Sequence, residues 1–120
     1  MEDLVLMTRP DHDDTTFYLH RWCKDTVEIA DSLGKLLADL KGRRANRKEF
    51  ESILNSKTPT ILLLHGHGTE SSLCGHQNEV ILDIKNSHLL KSKIVYAVSC
   101  KTAKTLGYHV VKEGIAKAFI

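Results

Sequence analysis

Two short segments of the 120-residue chain carry side chains suited to covalent chemistry. The first is the run HGHG at residues 65–68, in which two imidazoles alternate with glycine. The second is the pair Ser99-Cys100, which supplies a thiol. A cysteine hydrolase needs a thiolate, an imidazole that takes the thiol proton, and N–H donors for the oxyanion that develops during attack on a carbonyl. Together the two segments contain all three kinds of group.

Both segments follow apolar runs that predict buried strands. Residues 60–64 precede the histidines and residues 93–98 precede the cysteine, and each run is short and continuous. A third run of this kind, residues 4–7, is ended by Arg9 and Pro10. Continuous apolar runs of this length are typical of strands that are buried on both faces of a parallel sheet.

Helical patterns separate these strands. Over residues 17–32 the apolar side chains mostly recur at intervals of three and four, which predicts an amphipathic helix with Phe17 and Trp22 as core anchors. Asn46 is placed to cap a second helix, and a third is predicted over residues 102–113. Weaker strand patterns lie at residues 36–40, 80–82 and 116–120.

The alternation of strands and helices predicts an α/β fold with one domain over residues 1–120. We expect a three-layer αβα sandwich in which helices cover both faces of a mainly parallel sheet, joined by right-handed crossovers. Sites in such sheets lie at the carboxyl ends of the strands. The predicted fold therefore brings His67, Cys100 and the residues that follow the first strand to one edge.

The composition agrees with a globular domain and excludes several other classes. With 42% hydrophobic and 27% charged residues, the chain is unlike a disordered or collagen-like protein. A net charge of +2 gives no general attraction to nucleic acid or to an anionic membrane, and the longest apolar run, residues 61–64, is too short to span a bilayer. Glu2 and Asp3 stand where a signal peptide would be basic, and three cysteines cannot all pair within one chain, so we expect a cytoplasmic protein.

The two chemical segments, in this order and each closing a buried strand, resemble the signature of the caspase-like (clan CD) cysteine peptidases. That signature has a Gly-His-Gly motif after one buried strand and Ala/Ser-Cys after a later one. Here the first block is ILLLHGHG at residues 61–68, and the second is IVYAVSC at residues 94–100. Residues 114–120 are similar to the CHAT and gingipain branch of this superfamily. The resemblance is specific over about residues 60–120 and looser towards the first strand.

The resemblance implies a cysteine endopeptidase that needs no cofactor. It casts Cys100 as the nucleophile and His67, which is flanked by two glycines, as the base; His65 is an alternative base because it is also followed by glycine. The backbone N–H groups of Gly68 and Cys100 would hold the oxyanion. Such peptidases act largely through a His-Cys dyad, so the resemblance requires no third, acidic residue. The implied reaction is hydrolysis of a peptide bond through a thioester acyl-enzyme.

Residues at the same rim are candidates for substrate binding. In the family, the rim after the first strand helps to shape the pocket for the residue before the cleaved bond, and Arg9, Asp11 and Asp14 follow that strand here. Ser99, next to the nucleophile, is a fourth candidate. Arg9 would favour an acidic substrate residue, whereas the more numerous carboxylates favour a basic one. The expected partner is a protein or peptide substrate, with no nucleic acid and no membrane.

Two other interpretations stay open. His65, His67, Cys74 and His76 are all residue types that bind zinc, and alternate residues of an extended segment point the same way. A zinc-binding α/β domain is therefore one alternative. The other is a catalytically inactive caspase-like module that serves in binding or scaffolding.

The remaining candidates are assigned to the surface or the core. Five basic residues crowd into residues 41–48, which we interpret as a solvated turn and helix start. Cys23 lies beside an apolar helix face and is expected to be inert, whereas Cys74 lies in a polar segment and is expected to be exposed. Four histidines are interpreted as surface or hydrogen-bonded residues: His12, His20, His88 and His109.

A caspase-like sheet has strands beyond the one predicted at residues 116–120, and these later segments help to complete the substrate pocket. We therefore expect the sheet to be incomplete at its C-terminal edge. A second segment or chain is expected to complete the fold and cover that edge.

Overall fold

Five parallel strands form the central sheet. Their spatial order is β2-β1-β3-β6-β7. They are Leu4–Arg9 (β1), Leu36–Lys41 (β2), Ile61–His65 (β3), Ile94–Val98 (β6) and Ala118–Phe119 (β7). Between β3 and β6, two short strands form a separate antiparallel hairpin, Leu73–Cys74 (β4) and Val80–Leu82 (β5).

The computed structural model describes residues 4–120 of the chain. Glu2 and Asp3, which carry the argument against a signal peptide, lie outside the described residues. None of the helices within residues 4–120 has both the length and the hydrophobicity needed to cross a membrane.

Three α-helices accompany the sheet: Asp14–Ser32 (α1), Arg47–Ser56 (α2) and Tyr108–Lys112 (α3). The first two agree with the sequence prediction, although α1 begins three residues earlier than residue 17 because Asp13 caps it. The third is shorter than predicted. Ala103–Gly107 forms one turn of π-helix, and only the following five residues are α-helical.

The strand order confirms the predicted α/β class and the parallel sheet. From β1 the chain crosses through α1 to β2 on one side, whereas β3, β6 and β7 follow one another on the other side. Right-handed crossovers then place α1 on one face of the sheet and α2 and α3 on the opposite face. The direction of winding changes between β1 and β3, and open α/β sheets bind their ligands in the crevice at such a point.

The main hydrophobic core lies on the face that α2 and α3 cover. Phe50 of α2 is completely buried there, and Leu54 is 5% exposed. The rest of this cluster comes from the strands, the hairpin and the C-terminal third of the chain: Leu6, Leu40, Leu62, Leu64, Leu73, Ile81, Leu82, Leu90, Val95, Leu106, Val110 and Ala116.

Helix α1 covers part of the other face through a narrow stripe. Thr16 and Cys23 are its buried residues, and they lie seven positions apart, which places them on one side of the helix. The prediction that Phe17 and Trp22 anchor this helix in the core is wrong, because their exposed fractions are 47% and 72%. Successive helical residues are about 100° apart, so when Cys23 faces the sheet its neighbour Trp22 lies at the side of the helix, where most of its ring meets solvent.

The sheet face on the α1 side is open at β6. Ile94 and Tyr96 are exposed by 41% and 47%, whereas Val95 between them is fully buried against the α2 side. The strand therefore buries one face, not both as its continuous apolar sequence predicted. The helix layer on this side reaches β1, β2 and β3.

The basic cluster at residues 41–48 is partly used to hold the structure together. Arg47 donates to both carboxylate oxygens of Asp83 at 3.2 Å and to Glu51 at 3.2 Å, which fastens the start of α2 to the residues after β5. Arg44 pairs with Glu49 at 3.2 Å on the surface. These pairs agree with the interpretation of the cluster as a turn and helix start.

Two substitutions test which helix residues form the core. We expect Phe50→Ala to lower the free energy of unfolding by about 3–5 kcal/mol, because it leaves a cavity between α2 and the sheet. Trp22→Ala, the matched aromatic control on α1, is expected to change it by less than about 0.5 kcal/mol. Urea unfolding followed by circular dichroism measures both. Tryptophan fluorescence does not serve here, because Trp22→Ala removes the single tryptophan of the chain. A larger loss for Trp22→Ala than for Phe50→Ala would contradict this core.

Candidate active site

The loops that follow β1 and β3 meet at the crevice where the sheet changes direction. His67, two residues beyond β3, places its Nε2 atom 2.7 Å from Oδ2 of Asp13, which lies in the loop after β1. Both side chains are partly exposed, by 33% and 40% respectively. A carboxylate only accepts hydrogen bonds, so Nε2 of His67 carries the proton in this pair.

The Asp13 carboxylate uses its two oxygens for two different purposes. Oδ1 caps α1: it accepts from the backbone N–H of Thr16 at 2.9 Å and from the Thr16 hydroxyl at 2.8 Å. Thr16 accepts in return from the Asp13 backbone N–H at 3.1 Å, which completes a capping box. Oδ2 is left to face His67. The Thr16 backbone and hydroxyl donors, and then His67, hold the pKa of Asp13 well below its usual range, so the group is a carboxylate at neutral pH.

The Asp13 contact determines which tautomer of His67 is present. Because Nε2–H donates to Asp13, the neutral imidazole has its lone pair on Nδ1. Nδ1 is the atom that can accept a proton from another group. The arrangement is that of a base oriented by a carboxylate, which the sequence interpretation did not include.

Cys100 and His67 each lie two residues beyond the end of a strand, and the two strands are neighbours in the sheet. β3 and β6 pair in parallel with His65 opposite Val98, and the same register continued by two residues sets His67 beside Cys100. Cys100 is exposed, and the following Lys101 adopts a left-handed conformation with φ +60°. The chain then enters the π-helical turn, so no α-helix begins at the cysteine.

Glycines allow the two loops to approach each other closely. Gly66 has φ +149°, and a Cβ there would lie 2.5 Å from the carbonyl oxygen of Cys74. At Gly68 a Cβ would lie 2.1 Å from Oγ of Ser99, so the backbone of the histidine loop rests directly against the residue before Cys100. Ser99 Oγ is itself buried with no hydrogen-bond partner within residues 4–120. Ser99 therefore packs the two loops together.

Two backbone N–H groups at this junction remain free to act as donors. Across residues 4–120, no backbone carbonyl accepts from the N–H of Gly68 or of Cys100. The neighbouring amides are used differently: Cys74 N–H donates to His67 and Thr69 N–H donates to Ser72, which fixes the loop as the start of the hairpin. The two groups proposed as oxyanion donors are thus unoccupied by the fold.

His65 is placed apart from this arrangement. Its Nδ1 lies 3.0 Å from the carbonyl oxygen of Thr8 on β1, so Nδ1 carries the proton. The ring lines a small cavity of about 150 Å³ beneath α1, together with Trp22, Cys23 and Val98. Burial lowers the pKa of His65, which favours the neutral form.

The proposed substrate-binding residues divide into engaged and free groups. Arg9 donates to both oxygens of Asp39 at 2.9 and 2.6 Å. Its Nη1 atom also donates to the carbonyl oxygen of His20 on α1 at 3.3 Å. Its guanidinium therefore joins β1, β2 and α1. Asp11 and Asp14 are exposed on the rim.

Three metal-binding atoms converge in the same crevice. One ligand atom each from His12, Asp13 and His67 lie within 4.8 Å of one another, and no other such group of three occurs within residues 4–120. The zinc set suggested by the sequence does not converge. His65 is held against Thr8, and Cys74 is buried in β4 with 8% exposure, so the prediction that this thiol is exposed is wrong.

Asp13 and His12 are the site residues that sequence reasoning missed. The sequence interpretation gave Asp13 no role and took His12 as a surface or hydrogen-bonded histidine. The available signal was their position: they lie in the loop after β1, and His67 lies in the loop after β3, which pairs with β1. Because parallel neighbours end at one edge, any polar residue after β1 is a candidate partner for His67.

The pH dependence of stability tests the role of the Asp13 carboxylate. Its folded-state pKa is below the unfolded value of about 3.9, so the carboxylate stabilises the fold above that pH and the contribution is lost as the pH falls. Asp13→Ser keeps a good cap but removes the charge. We therefore expect the difference in unfolding free energy between wild type and Asp13→Ser to shrink from pH 7 to pH 3 in urea titrations.

A cap control accompanies this measurement. Asp13→Ala also removes the cap and is expected to cost about 1 kcal/mol more than Asp13→Ser at every pH. A difference between wild type and Asp13→Ser that stays constant with pH would contradict the role of the charge.

The chain was also compared with known proteins. No family model matches it, and comparisons with curated proteins and with solved structures gave no significant match. The resemblance to caspase-like peptidases therefore rests on the two sequence motifs.

Proposed function

We propose that this protein is a caspase-like cysteine endopeptidase in which His67 activates Cys100 and Asp13 orients His67. One observation carries the proposal: two adjacent parallel strands end level with each other, one before a histidine held by a carboxylate and the other before an exposed cysteine. This is the constellation of nucleophile, base and orienting group from which cysteine hydrolases are built.

His67 is a better base than His65 on geometric grounds. His65 donates its Nδ1 proton to the Thr8 carbonyl and is enclosed under α1. His67 is partly exposed, has a carboxylate on Nε2 and keeps a free lone pair on Nδ1. A general base must reach the proton that it removes, and of the two histidines only His67 lies in the loop that rests against Ser99.

The reaction proceeds by two proton transfers through His67. Nδ1 of His67 accepts the thiol proton, and the Cys100 thiolate attacks the peptide carbonyl carbon. The imidazolium, stabilised by Asp13, returns its proton to the leaving amine as the C–N bond breaks, which leaves a thioester on Cys100. Water, deprotonated by the same Nδ1, then hydrolyses the thioester and regenerates the thiol.

The oxyanion of each tetrahedral intermediate is assigned to the N–H groups of Gly68 and Cys100. These donors lie on the two loops that meet at Ser99, and the fold makes no other use of them. Donors that are already fixed stabilise the developing charge without reorganising at the moment of reaction.

The rim favours substrates with a basic residue before the cleaved bond. The bidentate pair with Asp39 satisfies the charge of Arg9, so it has little to offer an acidic substrate residue. Asp11 and Asp14 are exposed at the same edge, where their carboxylates are accessible to a Lys or Arg side chain.

The proposal includes a further segment or chain that completes the domain. The open sheet face at β6 supports this part of the proposal. Ile94 and Tyr96 are exposed there, beyond the strands that α1 covers. Such a segment would cover apolar area that water now contacts.

Substitution of the nucleophile is the direct test of the proposal. We expect Cys100→Ala to reduce cleavage of a peptide library by more than about a thousandfold and to abolish labelling by a peptidyl acyloxymethyl ketone. Members of the library with Arg or Lys before the cleaved bond are expected to be cut first. Mass spectrometry of the products and of the labelled protein measures both effects.

The two other cysteines serve as controls for this test. Cys23 and Cys74 are 2% and 8% exposed, and burial raises the pKa of each thiol, that of Cys23 to about 11. Cys23→Ala and Cys74→Ala should leave both cleavage and labelling in place. Full activity in Cys100→Ala, or the absence of cleavage and labelling in the wild type, would refute the proposal.

Asp13 is proposed as a positioning residue, and its kinetics distinguish that role from stability. We expect Asp13→Ser to lower kcat by about a hundredfold with little change in KM, because the imidazole loses its orientation while the substrate pocket stays intact. Asp13→Asn should lower kcat at least as much. An amide that caps α1 through its oxygen turns its NH2 towards His67, and this NH2 cannot accept the Nε2 proton. Titration of active sites with the acyloxymethyl ketone should show an undiminished amount of folded enzyme. A fall in that amount matching the fall in kcat would show a purely structural role.

A further inference from the structure

A second function is available to the crevice that holds the proposed base. His12, Asp13 and His67 come from the loops after two neighbouring strands and direct one ligand atom each to a common region, within 4.8 Å of one another. Two imidazoles and a carboxylate form a mixed nitrogen and oxygen ligand set. Zinc and the neighbouring divalent transition metals use this set, whereas calcium and magnesium prefer oxygen ligands.

The state of His12 independently indicates a missing ligand. Its side chain is only 10% exposed, and its Nε2 lies 3.1 Å from Oδ1 of Asn78. An amide oxygen only accepts, so Nε2 carries the proton and the lone pair is on Nδ1. That Nδ1 is buried and has no hydrogen-bond partner within residues 4–120, which is uncommon for a buried polar atom.

The surroundings of His12 reinforce this observation. The ring of His76 lies 5.7 Å from that of His12, edge to face, and its Nδ1 is also buried without a partner in the described chain. On the other side, the His67 ring lies 6.0 Å from His12. Two imidazole nitrogens without partners thus lie on neighbouring rings, and the Asn78 contact to Nε2 of His12 is the kind of outer bond that fixes the tautomer of a metal-binding histidine.

The spacing of the three residues suits a small ion. Oδ2 of Asp13 lies 2.7 Å from Nε2 of His67, and one ligand atom of each residue lies within 4.8 Å of the others. Ligands at zinc–nitrogen and zinc–oxygen lengths of about 2.0–2.1 Å in a tetrahedron are about 3.3 Å apart. Rotation of the partly exposed Asp13 and His67 side chains would admit the ion, and the Asp13 oxygen that caps α1 is not the one facing His67.

We propose that His12, Asp13 and His67 form a site for a divalent transition-metal ion, with Zn²⁺ as the best match, and that occupation of this site switches off Cys100. The metal site stands on its own geometry, whereas the switch rests on the proposed peptidase function.

The switch follows from the two nitrogens of one imidazole. A metal ion on Nε2 of His67 displaces the proton that Asp13 now accepts, and the neutral ring then carries its proton on Nδ1. Nδ1 is the atom that must receive the thiol proton of Cys100. A metal-bound His67 therefore has no lone pair for the cysteine, although neither Cys100 nor the oxyanion donors are touched.

Zinc binding to the purified full chain tests the site without reference to activity. We expect competition with a chromophoric chelator to show one Zn²⁺ per wild-type chain, and at least a tenfold loss of affinity in both Asp13→Ser and His12→Asn. Asp13→Ser keeps the helix cap, so it guards against misfolding of the more buried His12 variant. Cys100→Ala and His109→Ala are the matched controls, and both should bind as the wild type does.

Cobalt substitution identifies the ligands, and inhibition tests the switch. The Co²⁺ form should show ligand-field bands and no thiolate charge-transfer band. Zn²⁺ should inhibit peptide cleavage over the same concentration range as it binds. In His12→Asn, with inhibition expressed as a fraction of that variant's own zinc-free rate, higher zinc concentrations should be needed.

Three results would overturn the inference in distinguishable ways. Absence of zinc binding, or its loss in Cys100→Ala, would refute the site formed by these three residues. Activation of cleavage by zinc would refute the switch. Zinc binding with the expected variant pattern in a chain that cleaves no peptide would confirm the site, and it would refute both the switch and the proposed peptidase function.

Discussion

The carboxylate of Asp13 is the contact on which the candidate site depends. One oxygen holds the first turn of α1 through Thr16, and the other faces the imidazole of His67. A helix start, the end of β1 and the loop after β3 are therefore fixed by a single side chain. Because Asp13 only accepts, it also selects the tautomer of His67, on which the role proposed for this histidine depends. The same oxygen that orients the base is the one a metal ion would take.

The sheet supplies the frame that makes this contact possible. β1 and β3 are neighbours, and the chain leaves β1 towards one edge of the sheet and β3 towards the other. A crevice therefore remains between the loops at their carboxyl ends. β6 pairs with β3 on the other side, and the two strands end level with each other, two residues before Cys100 and His67 respectively. Most of the apolar burial that stabilises the sheet lies on the α2 and α3 face, away from these loops. Substitutions in the crevice can thus change the chemistry without disturbing the main core.

Much of the fold was predictable, and the reasons for the exceptions are physical. Short apolar runs gave the strands, and Asn46 gave the start of α2, because burial and capping leave local marks in the sequence. The level ends of β3 and β6, which precede His67 and Cys100, followed from the rule that parallel strands end at one edge. The contact between Asp13 and His67 could not be read in advance, since it joins loops distant in sequence and depends on which oxygen the helix cap leaves free. Trp22 was misassigned because an amphipathic pattern predicts which side of a helix is apolar but not how wide a strip of that side packs against the sheet.

The parallel pairing of β3 with β6 has a consequence for how the protein folds. The pairing joins strands that are separated by the whole β4–β5 hairpin, so it forms only after a long loop has closed and belongs to the slower, non-local class of contacts. The loops that carry His67 and Cys100 are therefore apart in the nascent or partly folded chain and come together with the central sheet. For the proposed peptidase, this order of events delays reactivity at Cys100 until the sheet has formed.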